Sequence, residues 1–154
     1  MRRSFLIMGL VLGLAAAAGA KDIAVVVNRS SPVKGLTLAE LVKFCKGEAS
    51  KWPDGRPATC VTRDPSSPDM KLALQKLYGA SAEAVKTLIT TANHGRSDHP
   101  AVVVVATDEA VIRRVEATPG AVGIVDVYSI TSAINVIKIG GKLPLEPGYP
   151  LHGN

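Results

Sequence analysis

The chain has 154 residues, which is enough for one domain of ordinary size with a hydrophobic core of its own. It carries 18 lysines and arginines against 13 acidic residues, but the basic residues are scattered and aromatic residues make up only 4% of the chain. A nucleic-acid-binding surface needs a basic stripe interleaved with stacking rings, so we do not expect nucleic acid to be a partner.

The first residues have the pattern of an export signal. Two arginines are followed by an apolar run from Phe5 to Ala18, and the sequence Ala18-Gly19-Ala20 ends it. The run is shorter than the roughly 20 residues that a helix needs to cross a membrane. We therefore predict a signal peptide at residues 1–20, cleavage after Ala20 and a periplasmic product that does not span the membrane. An uncleaved anchor is the alternative.

Hydrophobic periodicity and turn residues then predict alternating strands and helices. The predicted strands are Ile23–Asn28, Ala58–Thr62, Ala101–Val105, Ala121–Val125 and Ile134–Ile139. The predicted helices are Leu38–Lys46, Pro68–Tyr78, Ala82 to about Thr91, one from Thr107 or Asp108 to just before Pro119, and a short one between the last two strands. This order predicts one α/β domain at residues 21–142, with a mixed or mainly parallel sheet flanked by helices. Residues 143–154 are rich in proline and glycine, and we expect this tail to lie over the surface.

Cys45 and Cys60 are the two cysteines of the chain. An exported protein matures where disulfides persist, and an even count without Cys-x-x-Cys spacing favours a structural bridge over metal or redox chemistry. Two unpaired, buried thiols are the alternative that the sequence leaves open.

The loop that joins the second predicted strand to the second predicted helix is the main candidate for a binding site. Ligands of open α/β sheets bind at the carboxyl ends of strands, and a helix start favours an anion. Arg63 adds a planar set of donors, and Ser66 and Ser67 add hydroxyl groups. The alternative is that Ser67 only caps the helix while Arg63 pairs with Asp64 or Asp69.

Several short motifs stand in a recognisable order along the chain. They are Leu36-Thr37-Leu38-Ala39-Glu40-Leu41, Gly47, Lys51-Trp52, the Arg63 loop and Pro119-Gly120-Ala121-Val122-Gly123-Ile124-Val125. In this order they resemble the second lobe of the phosphate-binding proteins of ABC transporters, and single-lobe relatives of that lobe also exist. The resemblance spans residues 23–142 and implies a periplasmic-binding-protein-like lobe.

The resemblance also implies a phosphate site. Members of the family grip phosphate with an arginine followed, four residues later, by serine, glycine and threonine. Arg63 and Ser67 match the first two positions, whereas Pro68 and Asp69 replace the glycine and the threonine. Proline has no N–H to donate, and a carboxylate repels phosphate. Together with the loop chemistry, this gives Arg63, Ser66, Ser67 and Asp69 as the candidate ligand-binding residues, and Arg96 is the candidate for a second anion contact.

No residue set in the sequence suggests catalysis, a metal or a cofactor, so we predict a protein that is not an enzyme. His94 and His99, with Asp98 between them, lie in one polar loop and could bind a metal, but the sequence offers no further strong ligand beside them, so we expect them to be solvated. The sequence leaves two functions open. The first is a solute-binding-like protein for phosphate or a similar oxyanion, with a transporter permease or another envelope protein as a partner. The second is a protein-interaction or sensory module on the same fold.

Overall fold

The computed structural model describes residues 21–153, and the predicted signal peptide with its cleavage after Ala20 lies outside this part. The strands are β1 (Ile23–Asn28), β2 (Gly35–Leu36), β3 (Thr59–Arg63), β4 (Val102–Val105), β5 (Ala121–Asp126), β6 (Ile134–Val136) and β7 (Lys138–Ile139). The helices are α1 (Leu38–Cys45), α2 (Lys71–Ala73), α3 (Ala82–Asn93) and α4 (Asp108–Ala117). Helix α2 continues a 3-10 turn, Pro68–Met70, and leads into a π turn, Leu74–Tyr78; a further 3-10 turn, Val127–Ser129, follows β5.

The main sheet has the strand order β4-β3-β5-β1-β6. Strand β3 is parallel to both β4 and β5, whereas β1 is antiparallel to both β5 and β6. The sheet is therefore mixed, which is one of the two arrangements that the sequence predicts. Because β3, β4 and β5 run the same way, their carboxyl ends meet at one edge of the sheet and their amino ends meet at the opposite edge.

Helices cover both faces of the sheet. Alternate side chains of each strand point to opposite faces, so one strand can contribute to two cores. In β1, Val25 and Val27 pack into a core with α1, α3 and the helical segment 68–78. Ala24 and Val26 pack instead into a second core with α4. All six residues of β1 are buried, which is why this strand reads in the sequence as a continuous apolar run.

The motifs that carry the family resemblance are largely structural. Thr37 and Glu40 form a capping box at the start of α1, and Gly47, with φ of +71°, ends that helix as predicted. A Cβ at Gly123 would lie 2.7 Å from Val111 and 2.8 Å from Val115, so glycine there lets α4 approach β5 closely. These four residues therefore account for local structure: a helix start, a helix end and a close helix–strand contact.

The predicted single strand Ile134–Ile139 is wrong, because it divides into β6 and β7, which belong to different sheets. Strand β6 pairs with β1, and the N–H of Ile137 still donates to Val25 at 3.0 Å. After Ile137 the chain leaves β1, and β7 pairs in parallel with β2. A pairing partner about 100 residues earlier in the chain ends the strand, and local sequence does not encode that partner.

Residues 143–148 of the tail are mostly exposed, but the tail also has buried positions that the sequence did not predict. Tyr149 and Leu151 are buried in the core beneath β1, and the Tyr149 hydroxyl donates to the Ile23 carbonyl at 2.6 Å. The Ile23 N–H donates to the Leu151 carbonyl at 3.1 Å. Two apolar side chains therefore anchor a segment whose proline and glycine content is typical of a surface loop.

Asp22 fixes the tail to the start of β1. Its carboxylate accepts hydrogen bonds from the backbone of Leu145 (2.8 Å) and Gly153 (2.9 Å), and it pairs with the His152 ring at 2.8 Å. Burial raises the pKa of Asp22, but the two backbone donors and His152 outweigh burial and hold this pKa below its ordinary value. The charged carboxylate is thus the form that the folded tail stabilises.

Candidate functional site

A cleft of about 310 Å³ opens at the carboxyl ends of β3, β4 and β5, and we call it the carboxyl-edge cleft. Its lining residues are Lys21, Arg63, Asp69, Ala106, Thr107, Asp108, Glu109, Asp126 and Ser129. Arg63 is the last residue of β3, residues 106–109 lead from β4 into α4, and Asp126 ends β5. The cleft therefore lies at the edge of the sheet where an open α/β fold places its ligand.

Arg63 lies against the wall of this cleft, with 11% of its side chain exposed. Its Nε is 2.9 Å from Oδ1 of Asp108, whose side chain is buried, and neither atom has a hydrogen-bond partner elsewhere in the described residues. Oδ2 of Asp108 accepts from the Asp126 N–H at 3.0 Å and the Ser129 hydroxyl at 2.7 Å. Asp108 thus fixes the guanidinium of Arg63 through Nε and connects it to the end of β5 through hydrogen bonds.

Asp69 occupies the other side of the same guanidinium. Nη1 of Arg63 donates to Oδ2 of Asp69 at 3.0 Å, and Nη2 lies 3.5 Å from the Asp69 carbonyl oxygen. The Asp69 side chain is 73% exposed, unlike that of Asp108 at 7%. The pairing of Arg63 with Asp69, one alternative from the sequence, is therefore present, and a solvated carboxylate occupies the Nη1 donor.

The loop before the helical segment 68–78 offers few free donors. The N–H of Ser66 donates to the Asp64 carboxylate at 2.8 Å, and that of Ser67 donates to the Asp64 carbonyl at 2.9 Å. Ser67 is the N-cap residue, as predicted, but its side chain makes no capping hydrogen bond. Within the described chain neither serine lines the carboxyl-edge cleft, so Arg63 and Asp69 come together there without them.

Charge in the carboxyl-edge cleft is mostly negative. Among residues 21–153, the two cations that line it are Lys21 and Arg63, and the four carboxylates are Asp69, Asp108, Glu109 and Asp126. Lys21 lies 3.4 Å from Asp126, so both cations are paired with carboxylates of the cleft itself. An anion that enters must therefore displace a carboxylate from a cation.

Arg96 does not belong to this cleft. It lines a second cleft of about 390 Å³, the amino-edge cleft, with Ser50, Lys51, Pro57, Ala58, Gly95, Ser97, Asp98 and His99. Residue 58 precedes β3 and residues 95–99 precede β4, so this cleft lies at the amino ends of the strands. At 3.3 Å per residue, β3 separates it from Arg63 by roughly 15 Å. The two arginines therefore cannot grip one small anion together.

Cys45 and Cys60 meet in the core, where their sulfur atoms lie 3.3 Å apart as free thiols. The predicted bridge is thus not formed in this structure, although the two residues are neighbours as the prediction requires. A hydrogen bond with Cys45, followed by burial, raises the pKa of Cys60 well above its ordinary value. Burial likewise raises the pKa of Tyr78, whose hydroxyl donates to the Cys45 carbonyl at 3.1 Å. The pair is a structural feature of the core, away from both clefts.

In the described residues, no group of three or more His, Cys, Asp or Glu side chains is arranged to hold a metal ion. Over the same range, no helix is long and apolar enough to cross a membrane.

Sequence reasoning missed Lys21 and Asp108 as cleft residues. For Asp108 the signal was its place at a helix start beside a strand end, but its contact with Arg63 depends on the strand order.

Comparison with known proteins identifies the family to which this fold belongs. Residues 15–152 match the family model of the PBP superfamily domain. No curated protein matches the chain. Among solved structures, an ABC-type phosphate transport receptor from Vibrio cholerae is similar at a TM-score of 0.69 and 22% identity, over 86% of this chain and 54% of that one.

Two further structures show the same likeness. PstS from Borrelia burgdorferi matches at a TM-score of 0.66 and 17% identity, over 88% of this chain and 56% of that one. A phosphate binding protein from Stenotrophomonas maltophilia matches at a TM-score of 0.58 and 18% identity, over 80% of this chain and 40% of that one. The chain thus spans about half the length of these proteins, and at such identities the likeness shows the fold. Since the family model covers most of its length, this chain belongs to the PBP superfamily.

Proposed function

We propose that this chain is an exported, non-catalytic solute-binding lobe whose carboxyl-edge cleft binds a small oxyanion, such as inorganic phosphate, weakly through Arg63. The observation that carries the proposal is the position of Asp69. An exposed carboxylate already lies 3.0 Å from Nη1 of Arg63, and both residues line the cleft. A carboxylate is itself an oxyanion, so the geometry that holds Asp69 also suits a ligand oxygen.

Arg63 and Asp108 have separate roles in this binding mode. The buried ion pair through Nε sets the plane of the guanidinium before a ligand arrives. The ligand then takes the two Nη groups, which donate in parallel to two oxygens of one anion. The Asp69 side chain, which is 73% exposed, moves into solvent as the ligand replaces it.

Three features keep the affinity low. Asp69 competes for the same donors, Pro68 supplies no N–H at the start of the helical segment, and Glu109 and Asp126 add negative charge to the cleft. The chain spans only about half the length of the similar solved structures. A transporter permease or another envelope protein is the partner that we propose to complete the system.

Calorimetric titration with inorganic phosphate tests the proposal. Asp69→Thr removes the competing charge and adds a hydroxyl, so we expect binding about tenfold tighter than that of the wild type. Glu109→Gln is the matched control, because it removes the same charge from the same cleft without freeing the Arg63 donors; its gain is a few-fold at most. Arg63→Ala abolishes the component of binding that Asp69→Thr tightens. If the wild type and Asp69→Thr both fail to bind millimolar phosphate, the proposal is wrong.

A protein-interaction module is the second candidate function, and the surface beside the cleft favours it. Tyr128 is 72% exposed, and Lys21 of the cleft lies 5.4 Å from its ring centroid. An exposed ring next to excess carboxylates suits a basic segment of a partner protein. If a lysine-rich peptide binds while phosphate does not, and Tyr128→Ala weakens that binding, this second function replaces the first.

Export is part of the proposal, with residues 1–20 as a signal peptide. The mass of protein purified from the periplasm should begin at Lys21, and a mass that retains Met1 would contradict export. Under the same conditions we expect Cys45 and Cys60 to oxidise to a bridge, since their sulfurs are already 3.3 Å apart. Thiol counting in denaturant should then find no free thiol, and two free thiols would show that the pair stays reduced.

A further inference from the structure

We propose that the amino-edge cleft is a second binding site, which takes the phosphate group of a phosphomonoester, and that it is independent of the carboxyl-edge cleft. Lys51 and Arg96 face this cleft from opposite loops, and neither takes part in an ion pair anywhere in residues 21–153. Asp98 is the carboxylate of the lining. The cleft therefore has an excess of unpaired positive charge, unlike the cleft at the other end of β3.

The walls of the amino-edge cleft are fixed before any ligand binds. On one side the Ala58 N–H donates to the Ser50 carbonyl at 2.9 Å, and the Trp52 indole donates to the Gly120 carbonyl at 3.0 Å. On the other side the Asn93 amide bonds both the N–H and the carbonyl of Val102, which closes the loop that carries Arg96. Anchored walls lower the entropy cost of binding.

The lining matches the chemistry of a phosphomonoester. Its phosphate carries about 1.5 to 2 negative charges at pH 7, which one arginine and one lysine can balance. Arg96 suits two oxygens at once, Lys51 acts as a point charge, and the hydroxyls of Ser50 and Ser97 supply neutral donors. The cleft volume of about 390 Å³ exceeds what a bare phosphate fills and lies in the usual range for small-molecule sites. Pro57 and Ala58 offer carbon surface for the organic part.

The phosphomonoester has two possible sources, a free metabolite or a lipid headgroup, and the experiment separates them. The soluble probe is glycerol 3-phosphate in calorimetry. The lipid probe is phosphatidylcholine vesicles with and without phosphatidic acid, in co-sedimentation. Lys51→Gln and Arg96→Gln each remove one cation, and Arg113→Gln is the matched control, since Arg113 is an exposed cation of α4 that lines neither cleft.

We expect the wild type to bind at least one probe, Lys51→Gln and Arg96→Gln each to weaken that binding tenfold or more, and Arg113→Gln to leave it unchanged. Loss of vesicle binding alone in the two variants supports the site with a lipid source, and loss of glycerol 3-phosphate binding supports it with a soluble one. Failure of the wild type to bind either probe overturns the inference. Binding that both variants leave intact, or that only Arg63→Ala removes, overturns it too, and the last result assigns the ligand to the carboxyl-edge cleft.

Discussion

The clefts at the two ends of β3 each contain an arginine, and the two arginines are in opposite electrostatic states. At the carboxyl edge, Arg63 is 11% exposed and contacts the carboxylates of Asp108 and Asp69. At the amino edge, Arg96 is exposed, and within residues 21–153 it is unpaired, as is Lys51 across the cleft. The arginine that matches the family motif is therefore already neutralised, and the one outside the motif is free.

This difference shows what a sequence motif can and cannot report. A motif locates a residue at a position in the fold, here the end of a parallel strand where ligands bind. Whether its charge is available depends on neighbours that the fold brings from other elements, such as Asp108 from the start of α4. Electrostatic availability is a property of the assembled edge and not of the loop alone.

The largest effect is expected when the support behind Arg63 is removed. Asp108→Ala leaves a buried guanidinium without its Nε partner and deprives Asp126 and Ser129 of their acceptor. We expect the free energy of unfolding to fall by about 3 kcal/mol or more in urea denaturation. Glu109→Ala, the exposed neighbour on the same helix turn, should change it by less than about 0.5 kcal/mol. Equal losses for the two variants would contradict the role of Asp108.

The second prediction is that acid loosens the structure beside the carboxyl-edge cleft and not beside the amino-edge cleft. The pKa of Asp22 is lowered in the folded state, so its contribution is complete above the ordinary carboxyl pKa and is lost as pH falls through the lower folded value. The tail should therefore loosen below about pH 4, beside the carboxyl-edge cleft. Asp22→Asn should cost about 1–2 kcal/mol at neutral pH.

Amide hydrogen exchange checks this acid effect. Exchange at Leu145 and Gly153, which donate to the Asp22 carboxylate, should accelerate below pH 4 relative to the intrinsic rate. Exchange at Trp52 and Ala58 in the wall of the amino-edge cleft should not change in this way. Uniform acceleration at all four amides would show global unfolding and not a local release of the tail.

Much of the fold was predictable because it depends on local pattern. Strand β1 has the predicted bounds, Ile23–Asn28, since burial on both faces gives an uninterrupted apolar run. Thr37, Ser81 and Thr107 cap α1, α3 and α4 as expected of their residue types. Where the prediction failed, as in the separation of β6 from β7, the cause was a pairing partner distant in sequence.

The tail and the site were less predictable for the same reason. Two buried apolar residues, Tyr149 and Leu151, outweigh the surrounding prolines and glycines, but their burial requires the start of β1 as a partner. The pairing of Arg63 with Asp69 was visible as an alternative, because the two are six residues apart across one turn. Its pairing with Asp108 was not visible, since it needs β4 and α4 to lie next to β3.

The smallest expected effect is that of Asp98 on ligand binding in the amino-edge cleft. Asp98 is the carboxylate that lines this cleft, and it is exposed. Asp98→Asn should tighten glycerol 3-phosphate binding by a few-fold at most, because charges at an exposed site interact weakly. Raising the salt concentration should reduce this gain. A tenfold gain would mean that Asp98 itself holds Lys51 or Arg96 in the protein in solution.

One measurement tests the central claim, that neighbouring carboxylates decide which cleft accepts an anion. Inorganic phosphate is titrated into the isotope-labelled wild type and Asp69→Thr, and backbone amide chemical shifts are followed in both clefts. In the wild type we expect shifts around Lys51 and Arg96 at lower phosphate concentration than around Arg63. In Asp69→Thr the shifts around Arg63 should appear at about tenfold lower phosphate concentration than in the wild type. The concentration at which shifts appear around Arg96 should not change. If Arg63 responds first in the wild type, or at the same concentration in both proteins, the claim is contradicted.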